Sequence, residues 1–464
     1  MIDRELGRRR PHRSKRRIEG QRITFPRRQG RFLIVHAFCT LILRCTEGEK
    51  AYPFGCSQKP QSYYDYENNQ FPSQTVLVRS VDDFALTRRL GTGKFSDVFE
   101  AVDVNLEKEI ATKKLPSVVD PRTLVVVKCL KPVAERKIRR EIMVLERAAQ
   151  VPNIVRLIAV VVSPDYFEKY RGSSTDLPRM PALVMQHAGP QSQWFCHSAD
   201  NNLSSTSPQA HSFLTNYEIR YYLYHLLAAL DGLHATGIMH RDVKPRNVLI
   251  NRRGDDGMHR SPLTLIDLGL ADFYHPSIPY NVRVASRHYK APELLLGNSY
   301  YDYAIDLWGV GCILAGLLFH REPFFRGRDN VEQLHKIIAV LGIEDMWAYI
   351  NKYSIEVTES LRRELETSYS PESNLSLSNR PQRVRWNDYW QALHSIAPHK
   401  KRNEASSPSL LTEDALDLLD RLLVYDHEER WTAQQAMQHR FFDVVRDRAQ
   451  AELRSYETSA TKAL

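Results

Sequence analysis

The chain has 464 residues, 42% hydrophobic and 26% charged, which is ordinary globular usage, and its length points to two or three domains. The net charge of +9 is carried entirely by residues 1–31, where twelve Lys/Arg stand against Asp3, Glu5 and Glu19. Residues 32–464 are therefore formally neutral. This excludes a body-wide positive field as the means of attracting acidic partners, so any such preference must rest on local clusters.

Residues 1–50 read as a basic, disordered extension or targeting segment. The first 31 lack hydrophobic periodicity. Phe32 to Leu43 is then an apolar run of twelve residues closed by Arg44, short of the roughly 20 that a membrane span needs. Three readings stand side by side: a nuclear-import cluster around Arg8–Arg17, an organelle transit peptide, and a variable tail without an address. Residues 4–31 are also basic enough to touch nucleic acid, with salt-dependent affinity lost on truncation. The six cysteines, at 39, 45, 56, 129, 196 and 312, have neither metal-ligand nor redox spacing. They read as reduced thiols of a cytosolic or nuclear protein.

From Phe84 the pattern changes. Leu90-Gly91-Thr92-Gly93-Lys94-Phe95-Ser96-Asp97-Val98 leads into an extended stretch punctuated by Val102 and Val104. A dinucleotide fold would pass from the glycines into a helix. Strand alternation after them predicts a β-hairpin lid instead, with Gly91 and Gly93 leaving room for backbone N–H groups to approach phosphate oxygens. A plain hairpin turn is the alternative. Residues 107–122 lengthen the link to a β-branched strand, Leu124–Val127, which ends at Lys128. A helix over Ala134–Ala149 puts Ile138, Ile142, Leu145 and Ala149 on one face. Glu141 on that helix is positioned to pair with Lys128 and hold it toward the α- and β-phosphates of a nucleotide. Taken alone, Lys128 reads as a snorkelling surface lysine.

After residue 190 the apolar segments are mostly of helical length. Ile305–Phe319 reads as a buried core helix rather than a span. Polar stretches at 163–179, 190–211 and 366–410 read as surface loops or insertions, and 447–464 as a tail.

The densest chemistry lies in His240-Arg241-Asp242-Val243-Lys244-Pro245-Arg246-Asn247, followed by Asp267-Leu268-Gly269 and Ala291-Pro292-Glu293. Phosphoryl transfer from ATP needs these groups at this spacing. Asp242 is the expected base that accepts the substrate hydroxyl proton. Lys244 neutralises the transferring phosphoryl group. Asn247 and Asp267 supply hard oxygen ligands for Mg2+.

On these motifs the chain from about Phe84 to Val445 resembles a eukaryotic protein kinase. The resemblance implies an α+β, bilobal fold over residues 84–446, with a β-rich N-lobe (84–187) carrying one regulatory helix and a larger, mainly helical C-lobe (188–446). It puts Gln186, His187 and Ala188 against the nucleotide, pairs Glu293 with Arg430, and makes Asp306 the holder of the catalytic-loop backbone. Val243-Lys244-Pro245 is similar to Ser/Thr kinases. Val125–Val133, Tyr274-His275-Pro276, Tyr280–Arg287, Glu322–Arg326 and Tyr425-Asp426-His427 resemble the casein kinase 2 catalytic (alpha) subunit. So does Tyr64-Asp65-Tyr66-Glu67, within a segment (51–83) expected to pack on the kinase core.

That closer resemblance implies acidic protein substrates, with Arg140, Arg241, Arg283, Arg287 and Lys290 as their contacts. It also implies a tetramer with regulatory beta subunits, a nuclear and cytoplasmic location, and constitutive activity. No threonine lies between Asp267 and Glu293, so a switch by threonine phosphorylation has no acceptor there; the serines are Ser277 and Ser286. The family's lysine run at the start of the regulatory helix is here Ala134-Glu135-Arg136-Lys137, which predicts weaker selection for distant acidic residues. Two rival readings are a pseudokinase scaffold, suggested by Ser96 and Leu268, and a proline-directed kinase, suggested by Arg287–Leu296.

Overall fold

The computed structural model describes residues 77–111, 120–162, 180–190, 192–195, 214–252, 261–369, 381–386, 388–389, 391 and 410–462. The expectations for residues 1–76, for the loop at 163–179 and for most of 196–213 and 370–409 lie outside them.

Strands β1 (Val78–Arg79), β2 (Phe84–Thr92), β3 (Ser96–Asp103), β4 (Leu124–Leu130), β5 (Leu157–Val161) and β6 (Ala182–Gln186) form one sheet in the order β1-β5-β6-β4-β3-β2. All neighbours are antiparallel except β1, which joins β5 in parallel, Val78 opposite Val160. Its place is fixed by Arg79, which donates to Asp103 (3.0 Å) and Asp83 (3.0 Å) and lies over the Phe84 ring.

Period-2 burial explains β4. Val125 and Val127 point inward, into a small cluster with Phe84, Ala101, Ala159 and Val184. The strand does not stop at Lys128; it runs on to Leu130, because Lys128 pairs across to Val98 and to Leu183. The link before it also differs from the expected loop. Helix α1 (Val104–Ala111) begins at Val104, and Pro121–Thr123 forms a single 3-10 turn. Helix α2 (Glu135–Arg147) buries Ile138, Ile142 and Leu145 against the main core, as its 3.6-residue spacing requires.

The second lobe carries β7 (Gln193–Trp194), α3 (Asn216–Ala235), β8 (Ile238–Met239), β9 (Val248–Ile250), β10 (Leu263–Leu265), β11 (Asp272–Phe273), α4 (Pro292–Leu296) and α5 (Ala304–Leu318). It continues through α6 (Asn330–Leu341), α7 (Glu344–Lys352), α8 (Glu359–Tyr369), α9 (Glu413–Leu422), α10 (Ala433–Met437) and α11 (Asp443–Lys462). Thr215 and Glu218 start α3 with a reciprocal capping box. Every residue of α5 is buried, so this apolar stretch is a core helix. Among the described residues no helix is long and apolar enough to cross a membrane. The expected tail is also helical as far as Lys462, as part of α11. The architecture is the α+β, two-lobed arrangement the motifs imply.

Candidate active site

Three short devices bring the chemistry together. The first is the lid. β2 and β3 pair in antiparallel register, Gly91 opposite Val98 and Thr92 opposite Asp97, and Gly93 N–H donates to Ser96 O at 2.8 Å. Leu90 to Val98 is therefore a hairpin, not a strand-to-helix turn. A Cβ added at Gly91 would meet nothing within 4 Å. Thr92, Arg89 and Lys131 hold Asp97 down at about 2, so the hairpin tip carries a fixed carboxylate. Lys131 also donates to Gly93 O at 2.7 Å.

The second device joins the lobes. Lys128 Nζ donates to Glu141 Oε1 at 2.6 Å and to Asp267 Oδ1 at 2.9 Å. Burial works against the ammonium, but the two carboxylates outweigh it and raise its pKa. Burial likewise opposes the charge on Asp267, and Lys128 outweighs it, lowering that pKa. Lys128 is thus a buried ion-pair residue, and the snorkelling alternative fails. Gly269 makes the room: a Cβ there would come within 3.3 Å of Asp267 Oδ1, 3.4 Å of Glu141 Oε2 and 3.5 Å of Lys128 Nζ. Leu268, where Phe is usual, is sunk in the core at 1% exposure.

The third device is the catalytic loop between β8 and β9. Asp306, at the start of α5, accepts from His240 N–H and Arg241 N–H, both at 2.8 Å, and lies 2.9 Å from His234 Nε2. Burial opposes the Asp306 charge, but these donors outweigh it and lower its pKa. The loop presents Asp242, whose Oδ2 accepts from Lys244 Nζ at 2.6 Å and whose Oδ1 accepts from Ser286 N–H at 2.8 Å. Lys244 Nζ also donates to Ser286 Oγ at 2.8 Å. Asp242, Lys244 and Ser286 are thereby tied to one another. Under α4, Glu293 and Arg430 form the expected pair at 2.8 and 3.1 Å, both side chains fully buried.

Asn247 and Asp267 flank the paired ends of β9 and β10: Val248 stands opposite Leu265, and Ile266 N–H donates to Asn247 O at 2.9 Å. Asn247 Nδ2 donates to Asp242 O at 2.8 Å, which leaves its carbonyl oxygen as the free donor atom. Asp267 is ionised, and its side chain keeps 48% exposure. Two hard oxygens, one anionic, fit a small divalent ion that retains water in its shell. Such an ion would neutralise phosphate charge. Between the lobes, β6 ends at Gln186; His187 is buried with Nδ1 accepting from Gly189 N–H at 3.0 Å, and Ala188 is half-buried.

The expected substrate cations divide. Arg283 and Arg287 are exposed, and Arg287 donates to Arg328 O. Lys290 is not a surface contact: its ammonium is buried and donates to Val282 O (3.2 Å) and Val284 O. Burial pushes its pKa down. Arg241 is likewise turned inward, donating to Leu270 O (2.7 Å), Tyr301 Oη (3.1 Å) and Asp272 Oδ2 (2.9 Å). Arg140 reaches the same Asp272 oxygen at 2.9 Å. On α2, Glu135 pairs with Arg139, and Lys137 lies over the Phe95 ring.

Sequence reasoning missed Asp272, Ser286 as a partner of Asp242, and Lys131. Their roles depend on contacts across 31 to 132 residues for Asp272 and across 44 for Ser286, for which no spacing rule exists. Among the described residues Cys129 and Cys312 are free thiols.

A family model for the protein kinase domain matches residues 84–442. The match implies ATP and a divalent metal, usually Mg2+, as working components. With the lysine–glutamate–aspartate triad, the Asp242 loop and the Glu293–Arg430 pair in place, this chain belongs to the protein kinase domain family.

Proposed function

We propose that the chain is a protein serine/threonine kinase similar to the casein kinase 2 catalytic subunit, moving the γ-phosphoryl group of ATP to Ser or Thr followed by acidic residues. The observation that carries this reading is the pair of exposed guanidinium groups, Arg283 and Arg287, on either side of the Ser286 that is hydrogen-bonded to Asp242. An acidic side chain next to the phosphoacceptor would find a cation on that segment. Lys244 and Ser286 crowd the base, which suits a short aliphatic alcohol. The absence of threonine between Asp267 and Glu293 supports activity without a switch. Assembly with regulatory beta subunits and a nuclear and cytoplasmic location follow from the same resemblance.

A degenerate peptide library tests the reading. Wild-type protein should favour acidic residues directly after Ser or Thr. Arg283→Gln/Arg287→Gln should lower kcat/KM on such peptides about tenfold and spare neutral ones, in line with the loss of about 1.4 kcal/mol of charge-assisted contact. Preference for Ser-Pro, or an unchanged acidic preference in the double variant, would refute it. Turnover of tyrosine peptides alone would refute the Ser/Thr assignment.

A further inference from the structure

Asp272 is a half-buried carboxylate in β11 that no step above uses. Two arginines from different lobes end on its Oδ2: Arg140 of α2 and Arg241 of the catalytic loop, each at 2.9 Å. Their sequence neighbours matter. Arg140 precedes Glu141, which holds Lys128; Arg241 precedes Asp242, the base. Pairing of β11 with β8 puts Asp272 opposite Met239, immediately before His240, so the carboxylate cannot drift from the loop. In kinases that are switched, a phosphate added to the activation segment draws arginines together and so orders that segment.

We propose that Asp272 is a built-in substitute for that phosphate: a positioning residue that clamps the regulatory helix and the catalytic loop in the active arrangement. One carboxylate meeting two guanidinium groups supplies the bridge permanently. The surrounding contacts fit a clamp. Arg241 is held from two further sides by Leu270 O and Tyr301 Oη, and Tyr301 in turn donates to Asn281 O at 2.9 Å. The neighbouring Tyr280 bonds the backbone of Phe273 and His275. The segment from 270 to 281 is thus fastened around the same pair of arginines. The inference rests on the phosphotransferase reading but not on the substrate preference.

The test uses the full chain and an efficiently phosphorylated peptide. Asp272→Ala and Asp272→Asn should lower kcat about 10- to 100-fold, with KM for ATP changed less than about threefold, because the lost bridge positions groups rather than binding nucleotide. Asp272→Glu should retain most of the turnover. Formate or acetate, against chloride at equal ionic strength, should restore kcat of Asp272→Ala saturably. In an Arg140→Gln background Asp272→Asn should add little. Amide hydrogen exchange in α2 should rise in Asp272→Ala, a readout independent of catalysis. A kcat within about twofold of wild type, or a loss that neither Glu nor formate reverses and that follows the melting temperature, would overturn the proposal. Failure of the wild-type chain to phosphorylate any peptide would instead strike the phosphotransferase reading, leaving the exchange measurement to judge the clamp alone.

Discussion

Gly309 lies on α5 directly beneath the catalytic loop, and its replacement by alanine gives a graded displacement of the base. A Cβ there would stand 2.8 Å from Val243 Cβ, 2.8 Å from Val243 O and 3.2 Å from Val243 Cγ1. Carbon contacts are comfortable from about 3.5 Å, so helix and loop must part by about 0.7 Å. Val243 is flanked by Asp242 and Lys244, and part of the obstruction is backbone, which cannot rotate away. A misplacement of about 1 Å costs on the order of 10²-fold in rate, so Gly309→Ala should lower kcat about tenfold or more. Overpacking should also cost about 1–3 kcal/mol of stability. Gly311→Ala on the same helix is the control. Its Cβ would meet Leu423 Cδ2 at 2.7 Å and Cγ at 3.0 Å, side-chain atoms away from the loop. It should lose similar stability with kcat unchanged. Steady-state kinetics and thermal melts of both variants decide the matter. Equal kcat for Gly309→Ala and wild type, or equal kcat losses in the two variants, would refute the claim that α5 sets the position of Asp242.

Lys128→Met leaves Glu141 and Asp267 facing each other without their shared cation; kcat should fall about 10²- to 10³-fold, read by peptide phosphorylation, while a circular dichroism melt still shows a cooperative fold. Arg430→Met strands the fully buried Glu293 carboxylate and should cost about 3–5 kcal/mol in urea unfolding, most of it regained in Glu293→Leu/Arg430→Met. The last variant concerns pH. Burial opposes the charge of Glu452, but His225, Tyr221 and Arg448 outweigh it and hold the pKa at about 2, below the ordinary 4.5. A depressed carboxylate contributes stability that is present above its unfolded pKa and lost as pH falls through the folded one. The melting-temperature gap between wild type and Glu452→Gln should therefore be full at neutral pH and shrink between about pH 4.5 and 2. A gap that does not change over that window would contradict the role given to this carboxylate.

Much of the site was legible because phosphoryl transfer needs particular side chains in a particular order, and the chain between Gly91 and Glu293 carries them in that order. The lid was legible for a different reason: residues after Gly93 alternate as a strand, and only a hairpin accepts that. Contacts created by folding were not. Lys128 reads as the end of a strand because a lysine interrupts the β-branched run, yet Glu141 and Asp267 neutralise it and β4 continues to Leu130. Lys290 reads as a surface cation, and nothing local reveals that its ammonium is consumed by the carbonyls of Val282 and Val284. Glu107, Lys108 and Glu109 gave the stretch after β3 a loop-like polarity, although Leu106 and Ile110, four residues apart, share one half-buried face of α1.

The backbone around Asp242 carries a cost that the fold must offset. Arg241, Asp267 and Ala285 all adopt positive φ, at 65°, 64° and 62°, without being glycine. Each such residue costs about 1–2 kcal/mol relative to a right-handed or extended one. They sit on three sides of Asp242: one before it, one at the Asp267 carboxylate, one before the Ser286 whose N–H donates to it. Each is held by something stronger than local preference. Arg241 has its N–H on the buried Asp306, Asp267 has the Lys128 ammonium, and the Ala285 turn has Ser286 N–H on Asp242 itself. Relaxing any of the three would turn a catalytic group away from the others, so the strain is compatible only with the assembled site. The activity without a switch proposed above requires that assembly to persist in the unmodified chain. The buried charges fastening these turns therefore hold in place the same groups that would meet the nucleotide.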